Sequence, residues 1–430
     1  MSEKSSSLLA FERLAPFMLR SRSIEIGRQR LLQLRKQLAF VLLTDDIADN
    51  SRKKALQTFP CPVFQCFSSD DLERLFGYRG TKMLGFRRSP LSSNAMRELK
   101  MYKITEKSLL EHRLPSCPRV AILGASGIGR HHANWWHLEG AEVCTFLGST
   151  EEKVAATTDK LRGIFPFAGK GYCDLSELLT LEQPDIVDVC LPPELHFMGC
   201  RAALLAGCHV LCEKPFVYDA SLSHSEMLSQ ARELLELAQE KGLMLGICTQ
   251  YAVAARFCLE TCPPESGRVL NFHGRLFSPG VNRARGATQT WIDLSPHLLA
   301  AVQVAAPEAS PDWDTLKTEF SGQRANAEFA CRRADGQEPL LVQIETCHAD
   351  EAPLNVRELT FDGKQFVIDG KAGPDGVFQL EINTPLGQIT RPDMLRLLIR
   401  SFKNGKVEVN PQQGLKNLEW MLKILSKQDG

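Results

Sequence analysis

The sequence predicts an α/β protein of three modules: a small α/β sandwich at residues 1–112, a doubly wound parallel sheet at 117–245, and an α+β domain with a mostly antiparallel open sheet at 246–430. Three observations predict this organisation. A chain of 430 residues is long enough for about three domains of ordinary size. From residue 118, short apolar runs alternate with helical patterns, which is typical of a parallel sheet. After residue 246, strand-like runs follow one another across turns, which favours antiparallel pairing.

Composition places the chain among ordinary globular proteins. Hydrophobic residues make up 43% and charged residues 24% of the sequence, which excludes collagen-like, coiled-coil and disordered chains. No apolar run approaches the ~20 residues of a membrane-spanning helix. The first 23 residues also lack the apolar segment of a secretory signal. We therefore expect a cytoplasmic protein with no membrane partner.

The fourteen cysteines are scattered and form no CxxC pair. Structural zinc sites show paired spacing, so no metal is expected. Scattered cysteines in a chain of this length are typical of reduced thiols that pack as small hydrophobic residues.

The net charge is zero, but it is unevenly divided along the chain. Residues 1–113 hold 21 lysines and arginines against 12 aspartates and glutamates, a balance of +9, and the remainder carries −9. Such asymmetry indicates modules with separate partners. A basic first module fits nucleic acid, but it equally fits a solvated basic surface, and charge alone does not decide.

The strongest local motif is a glycine-rich turn after the apolar strand Arg119–Leu123. It reads Gly124-Ala125-Ser126-Gly127-Ile128-Gly129, and a helix is predicted over 128–138. Glycines permit a tight turn and close backbone approach, and free N–H groups at a helix start attract a pyrophosphate. In a βαβ frame this motif predicts a Rossmann-type dinucleotide site, with a ligand-free turn as the alternative. Ser126 stands where the central glycine of the motif would lie.

The end of the next strand normally selects between NAD and NADP. A carboxylate there binds the ribose 2′-hydroxyl and repels a 2′-phosphate. Here Ser149 and Thr150 occupy the tip, and Glu151 and Glu152 follow only afterwards. Two hydroxyls can bind a phosphate, but no arginine is adjacent. The choice between NAD and NADP stays open.

Three further motifs resemble the Gfo/Idh/MocA oxidoreductase family, from about Cys117 to the carboxyl terminus. Leu191-Pro192-Pro193-Glu194-Leu195-His196 resembles the family's loop beside the nicotinamide, and a segment ending in Glu213-Lys214-Pro215 is similar to its most characteristic motif. Residues 291–297 resemble its D-x-x-x-H element, and Gln250 and Tyr251 resemble substrate-pocket positions. The resemblance implies an NAD(P)-dependent oxidoreductase that acts on a hydroxyl or carbonyl group of a sugar, polyol or related small molecule. It implies that the cofactor is bound by Gly124, Ser126, Gly127, Ile128, Gly129, Ser149, Thr150, Leu191, Pro192, His196, Glu213 and Lys214.

The resemblance also assigns catalytic roles to Lys214, Asp293 and His297. An ammonium at Lys214 would stabilise developing oxyanion charge, although a lone lysine after a strand is more often simply exposed. A helix over 294–302, with Pro296 in its first turn, would put Asp293 and His297 on one face. His297 is then the general base for alcohol oxidation, and Asp293 is its partner or a ligand of a substrate hydroxyl. Locally, an N-cap aspartate and a packed histidine fit equally well.

The first module resembles, between residues 26 and 101, the small kink-turn RNA-binding fold of some ribosomal proteins. The strand at 40–44, the acidic pair Asp45 and Asp46, and the basic stretch 50–54 carry the likeness. Gly27-Arg28-Gln29-Arg30 stands where that family contacts RNA and keeps its glycine and basic character, but lacks its usual acidic or asparagine pattern. The resemblance implies RNA as a partner. A scaffolding or dimerisation role fits as well.

Two classes of function follow from these patterns. The leading hypothesis is the oxidoreductase, and the alternative is a catalytically silent cofactor-sensing or RNA-binding regulatory protein on a dehydrogenase fold. The joint presence of Lys214, Asp293 and His297 favours the enzyme, because a sensor needs none of them. The family resemblance further implies a homo-oligomer assembled through the open face of the second-domain sheet.

Overall fold

A computed structural model describes residues 6–44, 47, 49–99, 103–104, 114–281, 285–333, 336–373 and 377–427. Apart from Met1, the chain divides into two compact units, residues 2–112 and 113–430. The first module boundary is predicted within residues 105–113, which lie outside the described residues. The acidic pair Asp45 and Asp46 also lies outside them. The predicted mixed α/β class, with one parallel sheet and one mostly antiparallel sheet, is confirmed.

The unit at 2–112 is a sheet with helices on both faces. Its five strands lie in the order β1-β4-β2-β3-β5. One face packs against α1, α4 and α5 through a core that includes Phe11, Leu72 and Ala95. The other face packs against α2 and α3 through Leu31 and Ala55. The elements are α1 Ser6–Arg20, β1 Ile24–Ile26, α2 Arg28–Leu34, β2 Leu38–Leu43, α3 Asp49–Thr58, β3 Val63–Gln65, α4 Ser69–Phe76, β4 Met83–Arg87, α5 Pro90–Glu98 and β5 Lys103–Ile104.

The second unit begins with a six-stranded parallel sheet in the order β11-β10-β9-β6-β7-β8. The strand order reverses between β9 and β6, which opens a crevice at the carboxyl ends of these strands. Its strands are β6 Arg119–Leu123, β7 Glu142–Leu147, β8 Lys170–Tyr172, β9 Ile186–Val189, β10 His209–Glu213 and β11 Leu245–Cys248. Its helices are α6 Gly129–Leu138, α7 Glu151–Arg162, α8 Leu175–Glu182, α9 His196–Leu205 and α10 His224–Lys241.

Helices cover both faces of the parallel sheet, which explains why its strands are continuous apolar runs. Helices α8, α9 and α10 share one core with the sheet, whereas α6 and α7 share another. Local signals set the helix ends. Helix α10 begins at His224 because Ser223 and Glu226 form a capping box, and it ends at Gly242 in the left-handed conformation.

The rest of the unit is built on an eight-stranded sheet in the order β13-β14-β15-β12-β16-β17-β18-β19. Neighbouring strands are antiparallel except β12 and β15, which run parallel. Its strands are β12 Asn271–Pro279, β13 Ser310–Ser321, β14 Arg324–Arg332, β15 Leu340–Ala349, β16 Val356–Phe361, β17 Lys364–Ala372, β18 Phe378–Thr384 and β19 Gly387–Pro392. Its helices are α11 Tyr251–Thr261, α12 Ala287–Ala305, α13 Met394–Lys403 and α14 Pro411–Leu425.

Helix α13 follows the eight-stranded sheet in the chain and packs back against the parallel-sheet half of the unit. Its Arg396 and Arg400 donate to the Glu139 carboxylate, and Lys403 donates to the Glu139 carbonyl. The two guanidinium groups hold the pKa of Glu139 below its ordinary value, although burial alone would raise it. Among the helices within the described ranges, none has the length and apolar character needed to cross a bilayer.

Candidate active site

The glycine turn lies where the strand order of the parallel sheet reverses. Gly124 has φ +89°, and a Cβ there would lie 2.7 Å from the Cys190 carbonyl oxygen, so the first turn position requires glycine. A Cβ on Gly129 would collide with the Gly124 carbonyl, so glycine is also needed where α6 begins. Ser126, Gly127 and Ile128 are exposed between them. The turn therefore presents backbone and the start of α6 to the crevice.

The tip of β7 is exposed at Ser149 and Thr150. The Thr150 hydroxyl accepts a hydrogen bond from the Lys153 N–H at 3.2 Å and so caps α7. Ser149 is left as the exposed hydroxyl closest to the tip. This arrangement does not select between NAD and NADP.

The loops after β9 and β10 are joined by a buried histidine. The His196 imidazole lies with Nδ1 2.8 Å from the Pro215 carbonyl and Nε2 2.8 Å from the Leu191 carbonyl. Burial lowers the pKa of His196, which favours a neutral ring that donates to one carbonyl at a time. The predicted cofactor-binding residue His196 therefore links two loops, whereas Pro192 is exposed and Leu191 is half-buried against the core.

The predicted catalytic residues Lys214 and Asp293 come together in a cavity of about 220 Å³. Lys214 follows β10 directly, and its ammonium donates to the Asp293 carboxylate at 2.6 Å and to the Asp293 carbonyl at 2.8 Å. Because β10, β9 and β6 are neighbours in a parallel sheet, Lys214, Leu191 and Gly124 leave it at the same edge. The cavity is lined by Pro193, Lys214, Pro215, Gln289, Ile292, Asp293 and His348.

The helix that carries Asp293 differs from its prediction. It begins at Ala287, so Pro296 lies in its interior and not in its first turn. Proline removes the backbone bond to the residue four positions earlier. The helix continues past it because thirteen of its residues are buried, so packing outweighs the local cost. Beside the break, the Asp293 carbonyl accepts the Lys214 ammonium.

His297, predicted as the general base, lies on the same helix but is set against Tyr251. The two ring centroids are 5.5 Å apart, and both side chains are buried. The described residues that line the 220 Å³ cavity do not include His297, Tyr251 or Gln250. The imidazole that lines the cavity belongs to His348, whose Nε2 lies 3.0 Å from Asp293 Oδ2. No sequence motif marks His348, because its position at the end of a strand shows its importance only once β15 is placed beside α12.

A second polar cluster lies buried between α6 and the strands β9 and β10. The His132 ring, on α6, has Nδ1 2.8 Å from Asp188 Oδ2 and Nε2 3.1 Å from Glu213 Oε1. The Trp136 indole donates to the same Asp188 oxygen at 2.6 Å. The cluster joins α6 to β9 and to β10, whose last residue, Glu213, precedes Lys214. Sequence reasoning missed it, although a lone carboxylate such as Asp188 inside an apolar strand is a recognisable signal.

The charges of this cluster depend on one another. Burial alone would lower the pKa of His132, but the Asp188 carboxylate holds it well above its ordinary value. Burial alone would raise the pKa of Glu213, but the hydrogen bond and charge of His132 hold it below its ordinary value. Cys190 forms one group with His132 and Asp188, and Cys248 forms another with His132 and Glu213. Within each group, the atoms that could bind a metal lie within 4.8 Å of one another. Since both His132 nitrogens already face carboxylates, we interpret the cluster as an imidazolium between two carboxylates.

Comparison with known proteins identifies the class of the parallel-sheet segment. Residues 118–248 match the model of the GFO_IDH_MocA oxidoreductase family, which is described as an NAD-binding Rossmann fold. This range contains the glycine turn, the loop at 191–196 and Lys214. The segment thus resembles the NAD-binding domain of that family, as its motifs predicted.

Two curated relatives each match about a third of the chain. An uncharacterised oxidoreductase of Schizosaccharomyces pombe is 34% identical over 140 residues, which cover 30% of this chain and 35% of the relative. The D-glucoside 3-dehydrogenase of Escherichia coli is 32% identical over 148 residues, which cover 33% of this chain and 36% of the relative. The chain therefore spans about a third of the length of these relatives.

A likeness to a solved structure extends further along the chain. The structure of UDP-N-acetylglucosamine 3-dehydrogenase from Acidithiobacillus ferrooxidans aligns with a TM-score of 0.55 at 19% identity, and covers 72% of this chain and 96% of that one. At this identity the likeness shows the fold alone. These similarities lend no support to the regulatory alternative, and the resemblance of residues 26–101 to an RNA-binding fold stays a prediction.

Proposed function

We propose that residues 113–430 form a nicotinamide-dependent oxidoreductase that interconverts an alcohol and a carbonyl group on a sugar, polyol or related small molecule. The observation that carries this proposal is the Lys214–Asp293 pair, which lines a cavity at the same sheet edge as the glycine turn. A lysine ammonium beside a carboxylate is suited to binding a hydroxyl and to stabilising the negative charge that develops on its oxygen. The names of the two 3-dehydrogenases above support a sugar-like substrate.

The residues at the crevice fit a dinucleotide. A Cβ on Gly124 or Gly129 would collide with backbone carbonyls, and α6 begins there without a side-chain cap, an arrangement that suits a pyrophosphate. Gly124, Ser126, Gly127, Ile128 and Gly129 would hold that group. Leu191, Pro192 and Lys214 would border the nicotinamide, and Ser149 and Thr150 the adenosine ribose of NAD or NADP. The nicotinamide, when bound, supplies the acceptor or donor of the hydride.

The side chains that line the cavity would bind the substrate and stabilise the charge on its oxygen. Lys214 donates to the substrate oxygen and stabilises its charge, and Asp293 accepts the hydrogen bond of the substrate hydroxyl. Gln289 adds an amide that can bind a neighbouring hydroxyl. A volume of about 220 Å³ holds one sugar ring or polyol at the reacting end of a substrate, less than the ~300 Å³ at which pockets for larger ligands begin. The role of His297 as general base stays a prediction.

Turnover of a substrate panel tests this function. We expect the protein to reduce NAD or NADP in the presence of at least one sugar, glycoside or polyol, as measured by the absorbance of the reduced nicotinamide. The same panel with each cofactor in turn separates NAD from NADP. Reduced cofactor that binds tightly without turnover of any panel member, in either direction, would contradict the proposal and favour a sensor.

Assembly and compartment follow as further proposals. We expect a homo-oligomer in which the open face of the eight-stranded sheet packs against a second copy. This face carries a ladder of His273, Arg275, Glu345 and Glu358 joined by hydrogen bonds, with Leu341 exposed beside it. A self-complementary polar ladder with an apolar margin fits a symmetric interface.

We propose the cytosol as compartment because buried thiols are frequent in this chain.

A second candidate function belongs to the unit at 2–112, for which we propose structured RNA as a ligand. A groove of about 550 Å³ lies between the start of α2, the start of β4 and the side of α3 that carries Ser51, Lys54 and Thr58. Arg28, Lys54 and Lys82 line it, and the described lining residues include no acidic side chain. Three cations around a groove attract phosphates, which supply most of the affinity in non-specific RNA binding.

Salt-dependent binding tests the RNA proposal. We expect the affinity for a kink-turn RNA to fall steeply with salt, and each alanine substitution at Arg28 or Lys54 to lower the slope of log K against log salt by about one. Arg97→Ala is the matched control, because Arg97 lies on α5, on the opposite face of the sheet. An affinity that is independent of salt, or equally weakened by Arg97→Ala, would contradict an RNA site in the groove.

A further inference from the structure

The partners of the Asp293 carboxylate include a residue outside every motif of the sequence. His348 lies near the end of β15, and its Nε2 is 3.0 Å from Asp293 Oδ2. The other carboxylate oxygen, Oδ1, lies 2.6 Å from the Lys214 ammonium. We propose that His348 is a positioning residue, which holds the Asp293 carboxylate in line with Lys214 for the alcohol–carbonyl reaction. This inference rests on the proposed function of the cavity.

The surroundings of the ring decide which nitrogen carries the proton. The His348 side chain is only 2% exposed, and within the described ranges its Nδ1 has no hydrogen-bond partner. A proton on Nδ1 would therefore be a buried donor without an acceptor, which is unfavourable. An ionised carboxylate can only accept. The proton of a neutral ring accordingly lies on Nε2, and His348 donates it to Asp293.

This donor completes a two-sided hold on Asp293. Lys214 binds Oδ1 and the backbone carbonyl, and His348 binds Oδ2 from the neighbouring sheet. The two contacts together fix the rotation of the carboxylate about its side-chain bonds, which neither contact fixes alone. Asp350 lies two residues beyond His348 but is bound to Arg285 and Gln323. Within the described ranges, the charged partners recorded on this side of the ring are Asp293 and, through its carboxylate, Lys214.

The same sheet provides a matched control. His273 on β12 also bonds to a carboxylate, with Nε2 2.7 Å from Glu345 Oε1. Its side chain is one-third exposed, and it does not line the cavity. Substituting His273 therefore removes a histidine–carboxylate pair of the same sheet without touching the cavity, and the variant is compared at the oligomeric state of the wild type because His273 also lies on the proposed subunit interface.

Kinetics of three variants test the proposal. We expect His348→Leu to lower kcat about 10- to 100-fold, as loss of a residue that orients a site group commonly does, with a much smaller change in KM. His348→Gln keeps an N–H donor and should recover most of kcat. His273→Leu should match the wild type. Unchanged kcat in His348→Leu would overturn the proposal, and so would His348→Gln that folds normally yet is as impaired as His348→Leu.

Nitrogen-15 NMR of the histidine rings in the cofactor-free protein gives a second readout. The resonance that disappears in His348→Gln belongs to His348. We expect this resonance to show the Nε2–H tautomer in the wild type and to shift in Asp293→Asn. An Nδ1–H tautomer, or a resonance unaffected by Asp293→Asn, would overturn the role of His348 even if turnover were normal. Conversely, the expected tautomer in a protein that oxidises no alcohol would overturn the proposed reaction, and with it the positioning role.

Discussion

Lys214→Met is expected to lower kcat about 100- to 1,000-fold while leaving the protein folded. The Lys214 ammonium lies 2.6 Å from the Asp293 carboxylate, and the lysine side chain is 15% exposed. Methionine preserves the length of the side chain but supplies no charge and no N–H donor. Removal of one preorganised donor to a developing oxyanion commonly has an effect of this size. Steady-state kinetics with the substrate found in the panel measure it.

The control for this prediction is another lysine of the same unit. Lys160 is exposed on α7, so Lys160→Met changes the charge of the unit equally without altering the cavity. Lys214→Arg should also be impaired, because a planar guanidinium does not reproduce the geometry of an ammonium. A Lys214→Met variant with the kcat of the wild type would remove Lys214 from the reaction.

His132→Leu is expected to lower the free energy of unfolding of the second unit by about 3–5 kcal/mol. His132 is the buried cation between the carboxylates of Asp188 and Glu213. Its loss leaves both carboxylates buried without this positive charge. Breaking a buried ion pair by removing one partner has an effect of this size. Denaturant unfolding measures it, and His131→Leu, an exposed neighbour on the same helix, is the control. Equal stability of the two variants would contradict an ionic cluster.

The pH dependence of stability tests the charge states of His132 and Glu213. Because the folded-state pKa of His132 is raised above 6.5, its contribution is complete below that pH and is lost as the pH rises through the folded value. Because the folded-state pKa of Glu213 is lowered below 4.5, its contribution is present above that pH and is lost as the pH falls through the folded value. Wild-type stability should therefore decline on both sides, and His132→Leu should remove the contribution of His132 to the alkaline decline.

The parallel sheet was predictable because each of its signals is local. Apolar strands such as Arg119–Leu123 and glycine stops such as Gly242 act within a few residues, and the glycine turn follows its strand directly. The first helix shows the opposite case. Phe11, Ala15 and Met18 face the core at helical spacing, but Pro16 inside the helix argues against it locally, and packing decides otherwise.

The candidate site was predictable only in part. Lys214 and Asp293 are marked by motifs, and the structure brings them together. His348 and Asp188 are marked by no motif in their own segments, because their partners lie on other strands and helices, far away in sequence. His297 illustrates the limit of spacing arguments. A separation of four residues places it on the same side of α12 as Asp293, but only the neighbouring helix determines that its ring packs on Tyr251.

A crystal structure with the reduced cofactor bound tests the central claim most directly. We predict that the pyrophosphate lies on the turn between Gly124 and Gly129, and that the nicotinamide ring closes one side of the cavity formed by Lys214, Asp293 and His348. A reacting carbon held in that cavity would then lie about 3–3.5 Å from the ring, as a near-attack geometry requires. A cofactor whose nicotinamide points away from Lys214 and Asp293 would contradict the proposed reaction.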